Sequence, residues 1–447
     1  MITIDTPITF NDTLPDEVDA IIIGGGIIGV FSALNMARKG LKVMILEKGR
    51  IAGEQSSRNW GWIRQHGRDP AELPIMMEAL RLWKDIDKEV KGRTGFKQSG
   101  VMYLSKTEKD QAKREKWLST AKEHGLDTVA LSASQLEKYI DFKTPSDNKW
   151  IGGTYTASDG RAEPWQAIPA VAELAHSEGV LIKENCAVRA LDIQAGQITG
   201  VVTESGHIKA SQVIVAGGAW SSLFLRRHGI NIPQLSVRAS VARTAPVQSV
   251  SSTNFADPEL AIRRRDDGGY SIALTDSHDH FIGPDSFRLM TKWIKTGLQN
   301  IHEIRPWINE VSTSPDAWKT PRHWKEDEIS PFEITRVLNP NPAKGKVKVM
   351  QQRFAARFPQ IGEPKILDAW GGMIDAMPDI VPIVDRVPNV EGLIVATGMS
   401  GHGFGIGPAF GKIIAQIANK ESSEHDLKRF RFSRFSDGSK LDIGPNI

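Results

Sequence analysis

Apolar positions cluster first at residues 20–46. The run Ile21-Ile22-Ile23 passes straight into Gly24, Gly26 and Gly29, an alanine-containing stretch follows from Val30 to Arg38, and Gly40 ends it. A second apolar run, Val43 to Leu46, stops at Glu47. The pattern predicts strand, glycine turn, helix, strand and acid within about 30 residues, a βαβ unit of nucleotide-binding type. Helical periodicity returns over Ala71–Val90, Glu108–His124, Ser132–Tyr139 and, opened by Pro164, through His176 to a cap at Gly179. Alternation predicts strands at Ser99–Ser105, Ala187–Asp192, Gln197–Thr203 and His207–Lys209, and a buried strand in Ser211–Ser221 ending at Gly217-Gly218. From Val237 to Ile366 the style changes. Alternating strands, among them 259–276 with a turn at Asp267-Gly268-Gly269, mix with polar helices at Phe287–Ile301 and Val349–Phe358, which predicts a separate antiparallel lobe. The C-terminal part returns to the first style, with a strand at Gly392–Gly398, a glycine loop and a helix over Ala409–Asn419.

Composition narrows the classes. A length of 447 residues predicts two or three structural lobes, and 40% hydrophobic residues suit a large soluble core. Lys+Arg 56 against Asp+Glu 53 leaves +3, which gives no electrostatic case for nucleic acid or a membrane surface. The single cysteine, Cys186, excludes an internal disulfide and any multi-cysteine metal cluster. The polar N-terminus lacks a signal-peptide core, and no run approaches the roughly 18 apolar residues of a membrane span, so a cytoplasmic location is expected. Residues 1–16 read as a loose arm.

Each glycine of the first turn has a physical reason. Gly24 permits the tight turn, Gly26 lets backbone approach a pyrophosphate, and Gly29 lets helix pack on sheet. The helix N-terminus presents free N–H groups and a partial positive charge to phosphates. Glu47 at the strand end suits a ribose and disfavours a 2′-phosphate. Three strands end in glycine, at Gly24, Gly217 and Gly398, and are expected to run parallel with their ends at one crevice. An NAD dehydrogenase has no need of the third.

With these features the chain resembles the D-amino-acid oxidase/glycine oxidase-like superfamily of FAD enzymes, amino-acid dehydrogenase and deaminase subgroup included. The carriers are the N-terminal glycine motif with Glu47-Lys48, the loop AGEQSSRNWGWIRQ, the strand VIVAGGAWS, the segment DAWGGMIDAMPDIVPIVD and the loop TGMSGHGFGIGP. The resemblance implies an α/β, Rossmann-like FAD-binding domain (17–95, 160–235, 367–447) and an α+β, antiparallel-sheet substrate domain (96–159, 236–366). It implies the adenosine end of FAD at Gly24, Gly26, Ile27, Ile28, Gly29, Glu47 and Lys48, with Val188 near the adenine. It places Gln55, Ser56, Ser57, Arg58, Asn59, Trp60, Gly61 and Trp62 along the pyrophosphate and isoalloxazine, and Gly217 and Trp220 at the middle. Gly372 and the loop His402, Gly403, Phe404, Gly405, Ile406 are expected at the flavin ring and ribityl chain, where N–H groups of a helix start stabilise charge at the N1–C2=O edge. Some relatives attach FAD through Cys or His. Cys186 lies on the adenine side and His66 lies past the motif position, so non-covalent FAD is expected.

Relatives oxidise a C–N bond next to a carboxylate, passing hydride to flavin N5, and an arginine fork is the natural carboxylate clamp. In glycine oxidase that arginine follows a W-x-G segment, whereas here Trp370-Gly371-Gly372-Met373 is followed by Ile374. Arg64 or Arg263 is the expected replacement. Strand period puts Arg263 and Arg265 on one face and Arg264 on the other. Gln65, His66, Trp370 and His402 complete the candidate substrate site, with Met373 and Met399 as walls and Asp375 as a structural acid or, alternatively, a partner for a substrate amine. The expected reaction is oxidative deamination of an amino acid, with oxygen or a quinone reoxidising the flavin. N-demethylation of a sarcosine-like amine, a non-catalytic flavoprotein assembly factor and an NAD-binding protein are the alternatives.

Overall fold

The computed structural model describes residues 1–141, 150–299, 304–307 and 313–444. Its first sheet is built on β1 (Glu17–Ile23), which is followed by helix α1 (Ile27–Arg38) and returns as β2 (Val43–Leu46) in parallel beside β1. On the other edge of β1 lies the parallel strand Gly206–Val215, then the parallel strand Leu393–Thr397, then the antiparallel strand Ile383–Arg386. The strands whose ends carry Gly24, Gly217 and Gly398 thus lie side by side in this sheet and run the same way. Their continuous apolar character has a simple cause, because both faces are covered. Ile22 and Ile45 pack under α1 and the C-terminal helix (Gly403–Ala418), while Ile21 and Met44 face Trp220, Phe224 and the meander 188–203.

The second sheet centres on the strand Leu235–Thr244. It pairs antiparallel with Tyr270–Ala273 and, along its whole length, with Ile366–Ala376. Beyond Tyr270–Ala273 come Ala261–Arg264, Asn254–Ala256, Val101–Ser105, Gly152–Thr156 and Thr128–Ser132. Most pairs are antiparallel; Asn254–Ala256 with Val101–Ser105 and His278–Phe281 with Ile304–Trp307 are parallel.

Several elements differ from the sequence expectation. Residues 367–376, expected in the FAD-binding part, belong to the second sheet, because Trp370, Gly372 and Ile374 register against Val241, Ala239 and Val237. The predicted strands at His207–Lys209 and Ser211 onward are one strand. The predicted helix 287–301 breaks at Leu289 into Pro284–Arg288 and Met290–Gln299, and its last two positions lie outside the described residues. Ser132–Tyr139 holds one helical turn, Ala133–Leu136.

The arm 1–16 is not loose. The Glu184 carboxylate accepts from the N–H groups of Thr9 and Phe10, and Arg50 donates to the Ile4 and Thr6 carbonyls. Arg58 donates to the Ile2 carbonyl. Ion-to-backbone bonds hold the arm, so its polar side chains gave no hint of it.

Candidate functional site

A cleft of about 1240 Å³, open solvent included, lies where the parallel strands end, at the crevice expected for an open α/β sheet. Gly24 sits at φ +111, and a Cβ there would fall 2.6 Å from the Ala216 carbonyl oxygen of the neighbouring strand end. Gly26 is the extended N-cap of α1, and no side chain caps that helix from the cap position. Ser56 Oγ instead accepts from the N–H of Ile27 at 2.9 Å. Gly29 packs so tightly that a Cβ would lie 2.0 Å from the Gly24 carbonyl oxygen. The first turn of α1 carries no acid, and neither does that of the C-terminal helix. Both helix starts border the cavity, so two partial positive ends meet there.

Glu47 marks one end. Its carboxylate accepts from the N–H groups of Gly25 and Gly49, both at 2.7 Å, which leaves lone pairs for a ribose. Burial pushes this carboxyl up to about 7, against the pull of Lys48 and the two amides. Lys48 Nζ lies 2.6 Å from Glu54 Oε1, donates to the Thr335 and Arg336 carbonyls, and sits 4.5 Å over the Trp220 ring. The Trp220 N–H donates back to Glu54 at 3.0 Å. At the other end Asp375 accepts from the N–H groups of Gly398 (2.7 Å) and Met399 (3.1 Å). Burial raises its carboxyl to about 6. It holds the loop that starts the C-terminal helix and also lines the cavity.

Two buried polar atoms on the lining, Gln55 Oε1 and Ser221 Oγ, have no hydrogen-bond partner among the described residues. Orphans of this kind in a roomy polar-and-apolar cavity point to a bound group. The donor set fits a dinucleotide: a glycine cradle, an uncapped helix start, an acid at the ribose position and a second helix start.

Of the residues expected at the cofactor, Gly24, Gly26, Ile27, Ile28, Glu47, Lys48, Gln55, Ser56, Asn59, Val188, Gly217, Trp220, Gly403 and Phe404 line the cavity, as do Met373 and Met399. Others act one layer back. Gly29 sets the packing just described. Ser57 Oγ contacts the Glu54 carbonyl, and Arg58 is spent on Asn339 and on the Ile2 and Gly53 carbonyls. Gly372 leaves room for Gln55, whose Oε1 would be 2.4 Å from a Cβ there. Gly405 accepts the Trp83 indole N–H, and Ile406 is core. The lining also takes Arg50, Gly53, Glu54, Ala216, Gly218, Ser221, Phe224, Ala396 and Gly401. Glu54 stood inside the motif loop and was within reach of sequence reasoning. Phe332 was not, since it reaches the lining from a distant segment by packing on Trp220 and Phe224.

The expected catalytic set is largely redistributed. Gln65 is fixed by Ser158 and Asp159, and does not line the cavity. Trp370 donates its N–H to the Arg58 carbonyl at 2.9 Å and packs with Val241, Ala273 and Trp60. The His402 ring turns away from the cavity toward Glu72, Nδ1 to Oε2 3.3 Å, and burial lowers it to about 4. Arg64 lies over the Tyr103 ring and donates to the His66 carbonyl, outside the cavity.

Arg263 is different. The register Arg263–Ser271, Ala261–Ala273 and Ala273–Val241 puts it on the face of the second sheet that carries Trp370 and packs on Trp60. Its Nη2 pairs with Glu163 at 3.0 Å and its Nη1 donates to the Ala162 carbonyl. With Trp60, Trp62, Ala261, Ser271 and Ala273 it lines a narrow recess with no room for even a water molecule. Two donors of that recess, Arg263 Nε and Trp62 Nε1, are buried without partners among the described residues. Gly61, at φ +77, brings the flavin loop to Arg263, since a Cβ there would sit 3.1 Å from Nε.

Neither a Cys nor a His lines the main cavity among the described residues. Cys186 is buried, which pushes its thiol up, and His66 is held by Thr154 and Thr156. No cluster of metal-ligand type and no helix long and apolar enough to cross a membrane occurs among the described residues.

Comparison with known proteins agrees with this geometry. The family model described as FAD dependent oxidoreductase matches residues 19–417. An L-amino acid deaminase from Proteus myxofaciens, solved in complex with anthranilate, superposes with TM-score 0.89 at 30% identity, covering 98% of this chain and 100% of that one. Sarcosine oxidase subunit beta from Arthrobacter sp is 25% identical over 95% of this chain and 92% of its own. Glycine oxidase from Bacillus subtilis (strain 168) is 23% identical over 93% and 97%.

Proposed function

Because this chain belongs to the FAD-dependent oxidoreductase family, we propose that it oxidises the Cα–N bond of an α-amino acid, with FAD held non-covalently. The α-hydrogen leaves as hydride, the nitrogen gives up a proton, and water converts the resulting imine to an oxo acid and ammonia. When bound, FAD supplies the two-electron acceptor for that hydride. The protein's own work is orientation. The glycine cradle and α1 fix the dinucleotide, and the start of the C-terminal helix offers N–H groups where negative charge develops.

The observation that carries the reading is the glycine-cradled cavity, bordered by two helix starts and by the orphaned Gln55 Oε1 and Ser221 Oγ, taken with the likeness to amino-acid deaminases. Arg263 Nε and Trp62 Nε1 are unpaired buried donors of the kind a carboxylate would take once the side chains around them make room, and Glu163 holds the guanidinium in place. The likeness to an L-amino acid deaminase over nearly the whole chain favours deamination of the L isomer. The absence of Cys and His from the lining supports non-covalent attachment.

Anaerobic mixing of the FAD-loaded protein with L-, D- and N-methyl amino acids tests this. The expected result is bleaching of the visible flavin bands by L-amino acids, with ammonia as product. Bleaching by N-methyl amines alone, with formaldehyde, makes the protein a demethylating enzyme. A yellow protein that no amine bleaches refutes catalysis on amines.

A further inference from the structure

Behind the start of the C-terminal helix lies a charged group of side chains that the reaction above leaves unused. Arg68, Glu72 and His402 are all nearly or fully buried, at 3%, 0% and 2% exposure. His402 is the N-cap residue of the C-terminal helix, and its neighbours Gly401, Gly403 and Phe404 border the cavity. Its Nδ1 lies 3.3 Å from Glu72 Oε2, close but not aligned as a hydrogen bond. Both Glu72 oxygens, both His402 nitrogens and Arg68 Nη1 lack hydrogen-bond partners among the described residues. Arg68 Nε donates only to the Arg64 carbonyl, and neither arginine forms an ion pair among the described residues. So many unmet buried groups cost folding free energy and need a reason.

We propose that Arg68, Glu72 and His402 form a positioning cluster that sets the electrostatic potential at the flavin-facing end of the C-terminal helix. Arg68 supplies positive charge, Glu72 screens part of it, and His402 is a neutral spacer that fixes the first helical turn. Formal charges support the sum: with Arg64 the group carries two cations against one carboxylate. The other groups around it are already engaged. Asp69 lies 3.5 Å from Arg429, Asp159 accepts from the Gln65 and His66 amides, and Tyr103 lies under Arg64. Burial depresses the Arg68 guanidinium to about 9, which leaves it charged at neutral pH. Burial disfavours the Glu72 carboxylate; with His402 neutral, the cations that favour its charged form are Arg68 and Arg64. His402, lowered to about 4, stays neutral. In a dry site such fixed charges act over distance without reorganising.

The inference rests on FAD in the cavity and not on which amine is oxidised. Sulfite is therefore the probe, because it adds to oxidised flavin, leaves negative charge on the ring and needs no substrate site. Titration of the FAD-loaded protein is followed by loss of visible absorbance, with the flavin midpoint potential measured in parallel. Removing one unit charge, at an effective dielectric of about 20, predicts changes on the order of tenfold. Glu72→Gln tightens sulfite binding and raises the potential; Arg68→Met weakens binding and lowers the potential. Arg68→Lys keeps the parent value.

A purely structural cluster moves Glu72→Gln and Arg68→Met in the same direction, or moves neither, and either result overturns the proposal. If Glu72→Gln does not fold, the Arg68→Lys and Arg68→Met pair decides, since equal affinities refute the charge role. Amine oxidation can fail in every variant without touching these outcomes.

Discussion

Two alanine substitutions one helical turn apart separate cofactor binding from folding. At Gly26 the backbone is extended, φ −77 and ψ −179, and a Cβ meets only Ser56 Oγ, at 3.0 Å. That hydroxyl can rotate away. Doing so gives up its bond from the Ile27 N–H, a net loss of about 1 kcal/mol. Replacing glycine restricts the unfolded chain and returns about 0.4–1 kcal/mol. Gly26→Ala is therefore expected to leave FAD-free stability nearly unchanged. At Gly29 the new methyl falls 2.0 Å from the Gly24 carbonyl oxygen, a backbone atom that cannot rotate. Helix and turn must part by about 1 Å, and overpacking of this kind costs about 1–3 kcal/mol.

FAD binding responds in the opposite order of subtlety. In the proposed FAD pose the Gly26 methyl stands where backbone approaches the pyrophosphate, so at least about a tenfold weaker Kd is expected, or about 1.4 kcal/mol. At FAD equal to 100 times the parent Kd, ligand stabilisation falls from about 2.7 to about 1.4 kcal/mol. Thermal unfolding of the FAD-free protein, beside fluorescence titration with FAD, reads both quantities. Gly26→Ala as unstable as Gly29→Ala without FAD, or binding FAD like the parent, refutes the assignment of the cradle.

Other outcomes follow from the same geometry. Arg263→Lys keeps the charge but not the fork, and the KM of an L-amino acid is expected to rise about 10- to 100-fold in steady-state kinetics; an unchanged KM removes Arg263 from the carboxylate site. Arg263→Met removes one of the two arginines on buried Glu163, which keeps Arg161 and the Asp266 N–H, so chemical denaturation is expected to show a loss of about 1–3 kcal/mol. Asp375→Ala leaves the amides of Gly398 and Met399 unpaired, so flavin fluorescence should report weaker FAD binding, with Asp375→Asn milder because it retains an acceptor. Burial raises the carboxyls of Glu47 and Asp159 to about 7 and that of Asp375 to about 6. Between their unfolded and folded values the native protein binds the extra protons. Their contribution is therefore present at pH 4 and is lost as pH rises to about 7. Denaturant midpoints across that range should show the decline, and Asp375→Asn should flatten its lower half; an unchanged slope excludes Asp375.

The elements that place the cofactor were legible because backbone geometry writes itself into residue choice. Only glycine serves at φ +111 beside the Ala216 carbonyl, and strands covered on both faces must be apolar throughout. The substrate side was less legible because side-chain direction depends on partners far along the chain. Gln65 turned toward Ser158 and Asp159, and His402 toward Glu72, on tertiary contacts that no local pattern encodes. Strand periodicity did place Arg263 and Arg265 together, both over the Trp165 ring, with Arg264 apart over Tyr270. The assignment of residues 367–376 failed because alternating large and small residues suit either sheet, and only pairing with Leu235–Thr244 decides.

The strand Ile366–Ala376 begins at the edge of the substrate lobe and finishes at Asp375, whose carboxylate grips the loop of the C-terminal helix. It works as a tie-rod between roof and floor. Ten of its eleven residues pair with Leu235–Thr244, so one continuous strand joins the second sheet to the amides of Gly398 and Met399. The second sheet and the start of the C-terminal helix are thereby fastened to each other.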